Sequence, residues 1–231
     1  SMALKGLKGG KPSNEAAVSL SGAASDADIR VIAAMIAGNS ERPYRDCLAA
    51  AKKLGAKGRK KFAASIFKGL NEHDALYREF EAVNFIYDIV LSSSAFAQMK
   101  RHRMMSIFKQ PYDINLGYTT PPSIMETKQQ DIFTGVMDDT EKAYKKISKI
   151  NREAAEYVLT NAHRRRIIVN ANLRELYHIA RLRMDWHAQW DIQDISAQMV
   201  KVTQKAAPLT AALACGKDKF GRVYADFFKG K

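Results

Sequence analysis

The sequence predicts an α+β fold. Segments whose apolar residues recur at three- and four-residue steps are numerous, whereas only two stretches, 15–22 and 81–90, have strand character. A few strands among many helices is the pattern of an α+β domain. The chain has 231 residues, 46% of them apolar, enough for a real core in one domain of ordinary size. Residues 1–13 carry Gly, Lys and Pro with little apolar content and read as a flexible leader or linker, which leaves 14–231 as a single domain without internal repeats.

Taken in order, Ala17, Val18 and Leu20 suit a short strand within 15–22. Ser25-Asp26-Ala27-Asp28 offers an N-cap to a helix carrying Ile29, Val31, Ile32, Met35 and Ile36, which Gly38-Asn39-Ser40 stops. Further helical regions cover 44–54 and 57–70. In 81–90, Val83, Phe85, Ile86, Tyr87, Ile89 and Val90 make the second strand. Ser92-Ser93-Ser94 then caps a helix over 95–105, so Arg101-His102-Arg103 falls near a helix end. Residues 110–122 are irregular, with Pro111, Gly117, Pro121 and Pro122. A long helix is predicted from 123 or 126 to 150 and another over 153–161. The best-defined element is a helix over 172–206, where Leu173, Leu176, Ala180, Met184, Ala188, Ile192, Ile195, Met199 and Val202 share one face until Pro208 ends it.

The formal charge of +13 and a pI near 9.7 imply anionic company: nucleotides, phosphates, polyanionic cofactors or nucleic acid. The excess gathers at 52–61, 100–103, 163–166 and 217–231. Aromatic residues do not interleave with the runs at 52–61, 100–103 and 163–166, which disfavours a nucleic-acid-binding module. Cys47 and Cys215 stand far apart with no CxxC spacing, as reduced thiols of a cytoplasmic protein do. No apolar run of transmembrane length and no signal-peptide pattern is present. His73, His163 and His187 lack metal-ligand spacing, Asp138-Asp139 reads as the start of a helical turn, and Trp186 and Trp190 read as packing on the long helix. There is no GxGxxG or Walker loop.

Two blocks carry chemistry. In Arg101-His102-Arg103-Met104-Met105-Ser106, two guanidiniums can grip a diphosphate through paired hydrogen bonds, with the imidazole between them. Downstream, Asn172, Arg174, His178 and Arg183 recur on one helix, with Arg174 and His178 neighbours at a four-residue step. Together with Leu176, Leu182, Ala188, Gln189 and Ile192, these positions resemble the signature of the flavin-dependent thymidylate synthases, over roughly 72–208. The resemblance implies an α+β domain around a small antiparallel or mixed curved sheet, assembled as a homotetramer with shared active sites. It implies FAD held by Arg101, His102, Arg103, Asn172, Arg174 and His178, with Ser106 close by. It implies reductive methylation of dUMP to dTMP, with methylenetetrahydrofolate and NADPH as co-substrates. Gln98 and Arg183 match positions that contact the nucleotide, and an Arg at the uracil carbonyls can stabilise charge on the ring. No cysteine nucleophile is required.

The same resemblance shows a departure. After Ser106 the family motif continues with a second serine and an arginine-tyrosine pair, where this chain has Pro111, Asp113 and Ile114. A further phosphate-gripping arginine falls at Glu156. Charge-assisted hydrogen bonds are worth about 1.5–3 kcal/mol each, so losing two arginines and a hydroxyl weakens dUMP binding by roughly a thousandfold or more unless another group substitutes. Arg152, Arg164, Arg165 and Arg166 are the candidates for that. The other expectation is a domain that keeps its flavin half and completes the site of a paralogous or fused partner.

Overall fold

The computed structural model describes residues 17–229. The leader assigned to 1–13 lies outside them, as do Glu15 and Ala16 of the first predicted strand. Ten α-helices and four strands are described. These are β1 (Val18–Ala23), α1 (Ala27–Gly38), α2 (Tyr44–Lys53), α3 (Gly55–Phe67), β2 (Asn84–Ser92), α4 (Ser93–Met99), β3 (Ser106–Lys109), α5 (Pro122–Glu126), α6 (Gln130–Ile147), α7 (Arg152–Ala155), β4 (Arg164–Asn172), α8 (Leu173–Arg183), α9 (Trp190–Ala206) and α10 (Phe220–Lys229). The α+β prediction is correct, and the sheet is wholly antiparallel, in the order β1-β2-β4-β3.

The two central strands organise the rest. Asn84 faces Asn172 at one end of the β2–β4 ladder and Ser92 faces Arg164 at the other. Alternation then sends Phe85, Tyr87, Ile89 and Leu91 of β2, with Ile167, Val169 and Ala171 of β4, to one face. There they bury against Leu173, Leu176 and Ile179 of α8 and Ile192, Ile195 and Met199 of α9. The Tyr87 hydroxyl reaches Thr203 of α9 at 2.6 Å, so this deeply buried polar atom is satisfied. Asp28 at the start of α1 accepts from the Leu209 and Thr210 amides, tying the chain after α9 to the first helix.

Several boundaries differ from the sequence prediction. The helix placed over 95–105 is the short α4, and Ser106–Lys109 is instead an edge strand on β4. The β4 strand was hidden by its own arginines: its buried positions run Arg165, Ile167, Val169, Ala171, and a charged residue opens the alternation. The long helix over 172–206 is two helices. Asn172 is the N-cap of α8 rather than part of it, and a loop at 184–189 ends where the Gln189 side chain caps α9. Trp186 therefore lies off the helix and is 69% exposed, not packed. The 123–150 helix breaks into α5 and α6 around Lys128, whose φ of 57° lies in the left-handed region, and Asp138-Asp139 sits inside α6. The 153–161 helix is α7 followed by a 3₁₀ turn at Glu156–Val158. The amphipathic helix α10 was missed behind its basic residues; Phe220, Val223, Tyr224, Phe227 and Phe228 lay it on the core. No helix among the described residues is long and apolar enough to cross a membrane.

Candidate functional site

The two motif blocks meet at the C-terminal end of α4. Ser92 caps α4 through its hydroxyl, and buried Asp191 on α9 accepts from the Ser92 amide, which fixes where the helix starts. Six residues later, Gln98 is placed near the end of α4 and the chain turns back through Arg101-His102-Arg103. Facing this turn, α8 presents Glu175, His178 and Arg183 at three- to five-residue steps.

Four of these side chains form one hydrogen-bonded line. Glu175 Oε1 lies 3.2 Å from His102 Nδ1. Arg183 Nε donates to His102 Nε2 at 2.9 Å, and Arg183 Nη1 donates to Gln98 Oε1 at 3.2 Å. A guanidinium can only donate, so His102 Nε2 must accept, and the ring proton then sits on Nδ1, where Glu175 receives it. Likewise Gln98 turns its oxygen to Arg183, and its amide N–H groups have no partner among the described residues. The His102 and Glu175 side chains are 2% and 5% exposed, so this line runs inward from a half-buried guanidinium. The His178 ring stands edge-on to His102 at 5.5 Å between centroids.

Beside the line opens a cavity of about 240 Å³, lined by Leu76, Glu81, Met104, Asn172, Arg174, Glu175, Tyr177, His178 and Arg181 among others. Asn172 and Arg174 reach it while holding internal bonds. Asn172 Oδ1 accepts from the Glu175 amide at 2.8 Å, and Arg174 donates to Leu76 O at 2.8 Å and Glu81 Oε1 at 2.9 Å. Arg101 and Arg103 are exposed, and neither forms an ion pair among the described residues. The result is a local excess of positive charge. Burial first, then the charge of Arg101, lowers the Arg183 pKa. Burial first, then His102, Arg181 and Arg183, lowers that of His178 against the opposing pull of Glu175, which keeps the imidazole neutral at neutral pH. An exposed cluster of unpaired cations beside a polar cavity fits an anionic diphosphate group.

The altered stretch lies toward the other end of α4. Ser106 opens β3 opposite Asn170 and is exposed. After β3, Asp113 Oδ1 accepts from the amide and side chain of Asn115 at 2.9 and 2.7 Å, capping the 3₁₀ turn Ile114–Leu116. Tyr112 is tied down twice: its hydroxyl meets Ser93 Oγ at 2.8 Å and receives Arg165 Nη1 at 3.3 Å. The Arg165 guanidinium lies between the Phe96 and Tyr112 rings, 4.4 Å from each centroid. Pro111, Tyr112 and Asp113 line an open cavity of about 470 Å³ with Tyr144, Ser148 and Arg152. Glu156 sits in its 3₁₀ turn after α7. The two regions are separated by the length of α4, roughly 10 Å at 1.5 Å per residue.

Sequence reasoning overlooked Glu175 and Tyr112, and it offered Arg165 as a substitute phosphate ligand where the structure stacks it between Phe96 and Tyr112. The signal for Glu175 was present: it lies between Leu173, Leu176 and Ile179, where a carboxyl side chain is forced inward. The signal for Arg165 was the inward phase of β4. The thiols offer no nucleophile here: Cys47 is buried and burial pushes Cys215 up to about 11.

Comparison with known proteins decides the family. The family model described as thymidylate synthase complementing protein matches residues 21–209. The chain belongs to that family. Among its relatives are a UPF0159 protein of Thermoplasma acidophilum, 29% identical over 160 residues (66% of this chain, 32% of the relative), and one of Chlamydia muridarum, 26% identical over 192 residues (83% and 36%). The chain thus spans about a third of the length of these two proteins. A flavin-dependent thymidylate synthase of Geobacter sulfurreducens is 30% identical over 138 residues, 55% of this chain and 60% of the relative. The fold of this family member is shared with a UMP/dUMP methylase of Streptomyces cacaoi solved with 5-Br dUMP, at a TM-score of 0.66 and 18% identity over 87% of this chain and 95% of that one.

Proposed function

We propose that this thymidylate synthase complementing protein family member binds FAD and a uracil nucleotide, and methylates dUMP to dTMP with methylenetetrahydrofolate and NADPH. One observation carries the nucleotide half. With its oxygen turned to Arg183, Gln98 offers only donors, and so does Arg183. Such a pair complements the carbonyl oxygens of a uracil ring and leaves an amino group, as on cytosine, facing donors. In this reading Gln98 and Arg183 hold the ring carbonyls, and the Arg183 charge stabilises the negative charge that develops on the ring during methylation, in a half-buried setting where it is weakly screened.

The cofactor half rests on the cationic rim. Arg101 and Arg103 would hold the FAD diphosphate, Ser106 would lie close by, and Asn172, Arg174 and His178 would line the flavin's approach. His102 would act from behind, because both its ring nitrogens are bonded within the chain. When bound, FAD would pass to the nucleotide the hydride supplied by NADPH. The cavity of about 240 Å³ is smaller than the roughly 300–1,000 Å³ of a self-contained ligand pocket, which suits a site completed by another chain. A homotetramer with shared sites meets that need, as does a paralogous or fused domain, and the greater length of the UPF0159 relatives favours asking which.

The altered stretch favours the second arrangement as an alternative. The Tyr112 hydroxyl and Asp113 Oδ1 are engaged within the chain, and Asp113 brings a negative charge to the cavity in which the resemblance would put the phosphate. Tritium release from 5-labelled dUMP with FAD, NADPH and methylenetetrahydrofolate separates the two. Turnover by the chain alone supports the enzyme. Absence of turnover in protein that binds FAD supports the flavin-holding domain.

A further inference from the structure

We infer that Glu175 is a positioning residue: acting through His102, it fixes the Arg183 guanidinium in the orientation that meets the nucleotide ring. The inference rests on the proposed role of Arg183 for its consequence in binding, but its physical basis is independent of any ligand. Arginine on a helix surface has rotamer freedom to spare, and a guanidinium left to itself samples many positions. Here two of its N–H groups are claimed, by His102 Nε2 and by Gln98 Oε1, and the two acceptors lie on a different segment from α8. The grip works only while His102 Nε2 carries a lone pair.

That condition is chemical, not steric. An imidazole with its proton on Nε2 would point an N–H at the Arg183 N–H, turning an attraction into a clash of donors. The tautomer is set by what the other nitrogen meets. Glu175 is that group: its carboxyl oxygen is 3.2 Å from Nδ1 and the pair is almost wholly buried, so water cannot take its place. Glu175 is itself held by position, because its amide is the one that Asn172 caps at the start of α8. The order is therefore cap, carboxylate, imidazole, guanidinium, ring.

Replacing Glu175 with Gln keeps an oxygen acceptor for Nδ1–H, whereas Leu keeps the volume and removes the acceptor. Nitrogen-15 NMR of the His102 ring reads the tautomer directly, and calorimetry of dUMP binding to the FAD-supplemented protein reads the consequence. We expect wild type and Glu175→Gln to show the proton on Nδ1. In Glu175→Leu we expect mixed tautomers, a faster-exchanging Arg183 Nε–H, and dUMP affinity about tenfold weaker, against less than threefold for Glu175→Gln. A wild-type ring protonated on Nε2 overturns the inference, and that measurement needs no variant to fold. It is equally overturned if Glu175→Leu leaves the tautomer unchanged, or changes it with dUMP affinity intact. Wild-type protein that shows the Nδ1 tautomer but binds no dUMP refutes the substrate assignment, while the tautomers still decide what positions Arg183.

Discussion

Arg183 draws its geometry from two neighbours and its strength from being half-buried, so its replacement should be felt twice. Arg183→Lys keeps a charge but cannot donate to His102 and Gln98 at once, since an ammonium on a flexible stem lacks the planar fork. We expect dUMP affinity to fall about 10- to 100-fold by calorimetry, the range that one charge-assisted hydrogen bond represents. Asp113 gives a test of opposite sign. Its carboxylate caps the Ile114–Leu116 turn, and it puts a negative charge in the cavity, also lined by Arg152, where the resemblance places a phosphate. Asp113→Arg should tighten dUMP binding while lowering stability by about 1 kcal/mol through the lost cap. Unchanged or weaker binding refutes that placement of the phosphate. At this scale, the residues that the structure brings together around Arg183 and His102 were legible in the sequence, because their types and spacings are chemical. The residues that hold them, Glu175 and Arg165, were not, because burial of a charged side chain depends on which face the fold turns inward.

Among the elements, α8 matters most, since it carries Arg174, Glu175, His178 and Arg183 and begins at a single cap. Asn172→Ala should cost about 1 kcal/mol of stability in denaturant unfolding, and should loosen Glu175 with it. A loss well below that would mean Asn172 is not a structural cap. On β4, Arg165 joins strand, α4 and the 110–113 segment through its contacts with Phe96 and Tyr112. Arg165→Ala should raise amide exchange across 110–113 with little change in β2; uniform exchange would show that the clamp is not local. The central helices and β2 could be read from periodicity because their buried faces are mostly apolar, with the polar exceptions (Glu175, Asp191, Ser196, Thr203) few enough to leave the apolar steps visible. The strands β3 and β4 could not: β3 is four residues long, and the inward phase of β4 opens on a charge. The break at 184–189 was invisible for another reason, since the apolar steps of α8 and α9 stay in phase across it.

For the molecule as a whole, buried histidine sets the response to acid. The His163 ring is 1% exposed and its Nδ1 accepts from the Thr160 amide at 3.0 Å, so folding holds it neutral, with burial the main cause of its lowered pKa. His178 shifts the same way. An unfolded histidine takes up a proton near pH 6.5, earlier than the folded one does. The stability these groups contribute is therefore complete above about pH 6.5 and declines as pH falls below it toward the lowered folded values. Urea midpoints should drop between pH 7.5 and 5.5, and His163→Gln should flatten that drop; an unchanged slope would contradict the buried neutral ring. Asp26 and Asp185, lowered by their Arg30 and His187 hydrogen bonds, act only in the more acidic carboxylate range and leave this window clear.

The same scale poses the central question, because the cationic rim, the donor pair and the open cavity act together only if flavin is bound. Equilibrium titration of the purified protein with FAD, followed by flavin fluorescence, tests this most directly. The account predicts saturable binding by wild type, weakened at least tenfold when Arg101 and Arg103 are both changed to alanine, roughly the contribution of one charge-assisted hydrogen bond. Folded wild-type protein that shows no saturable binding, or a double variant that binds as well as wild type, would contradict it.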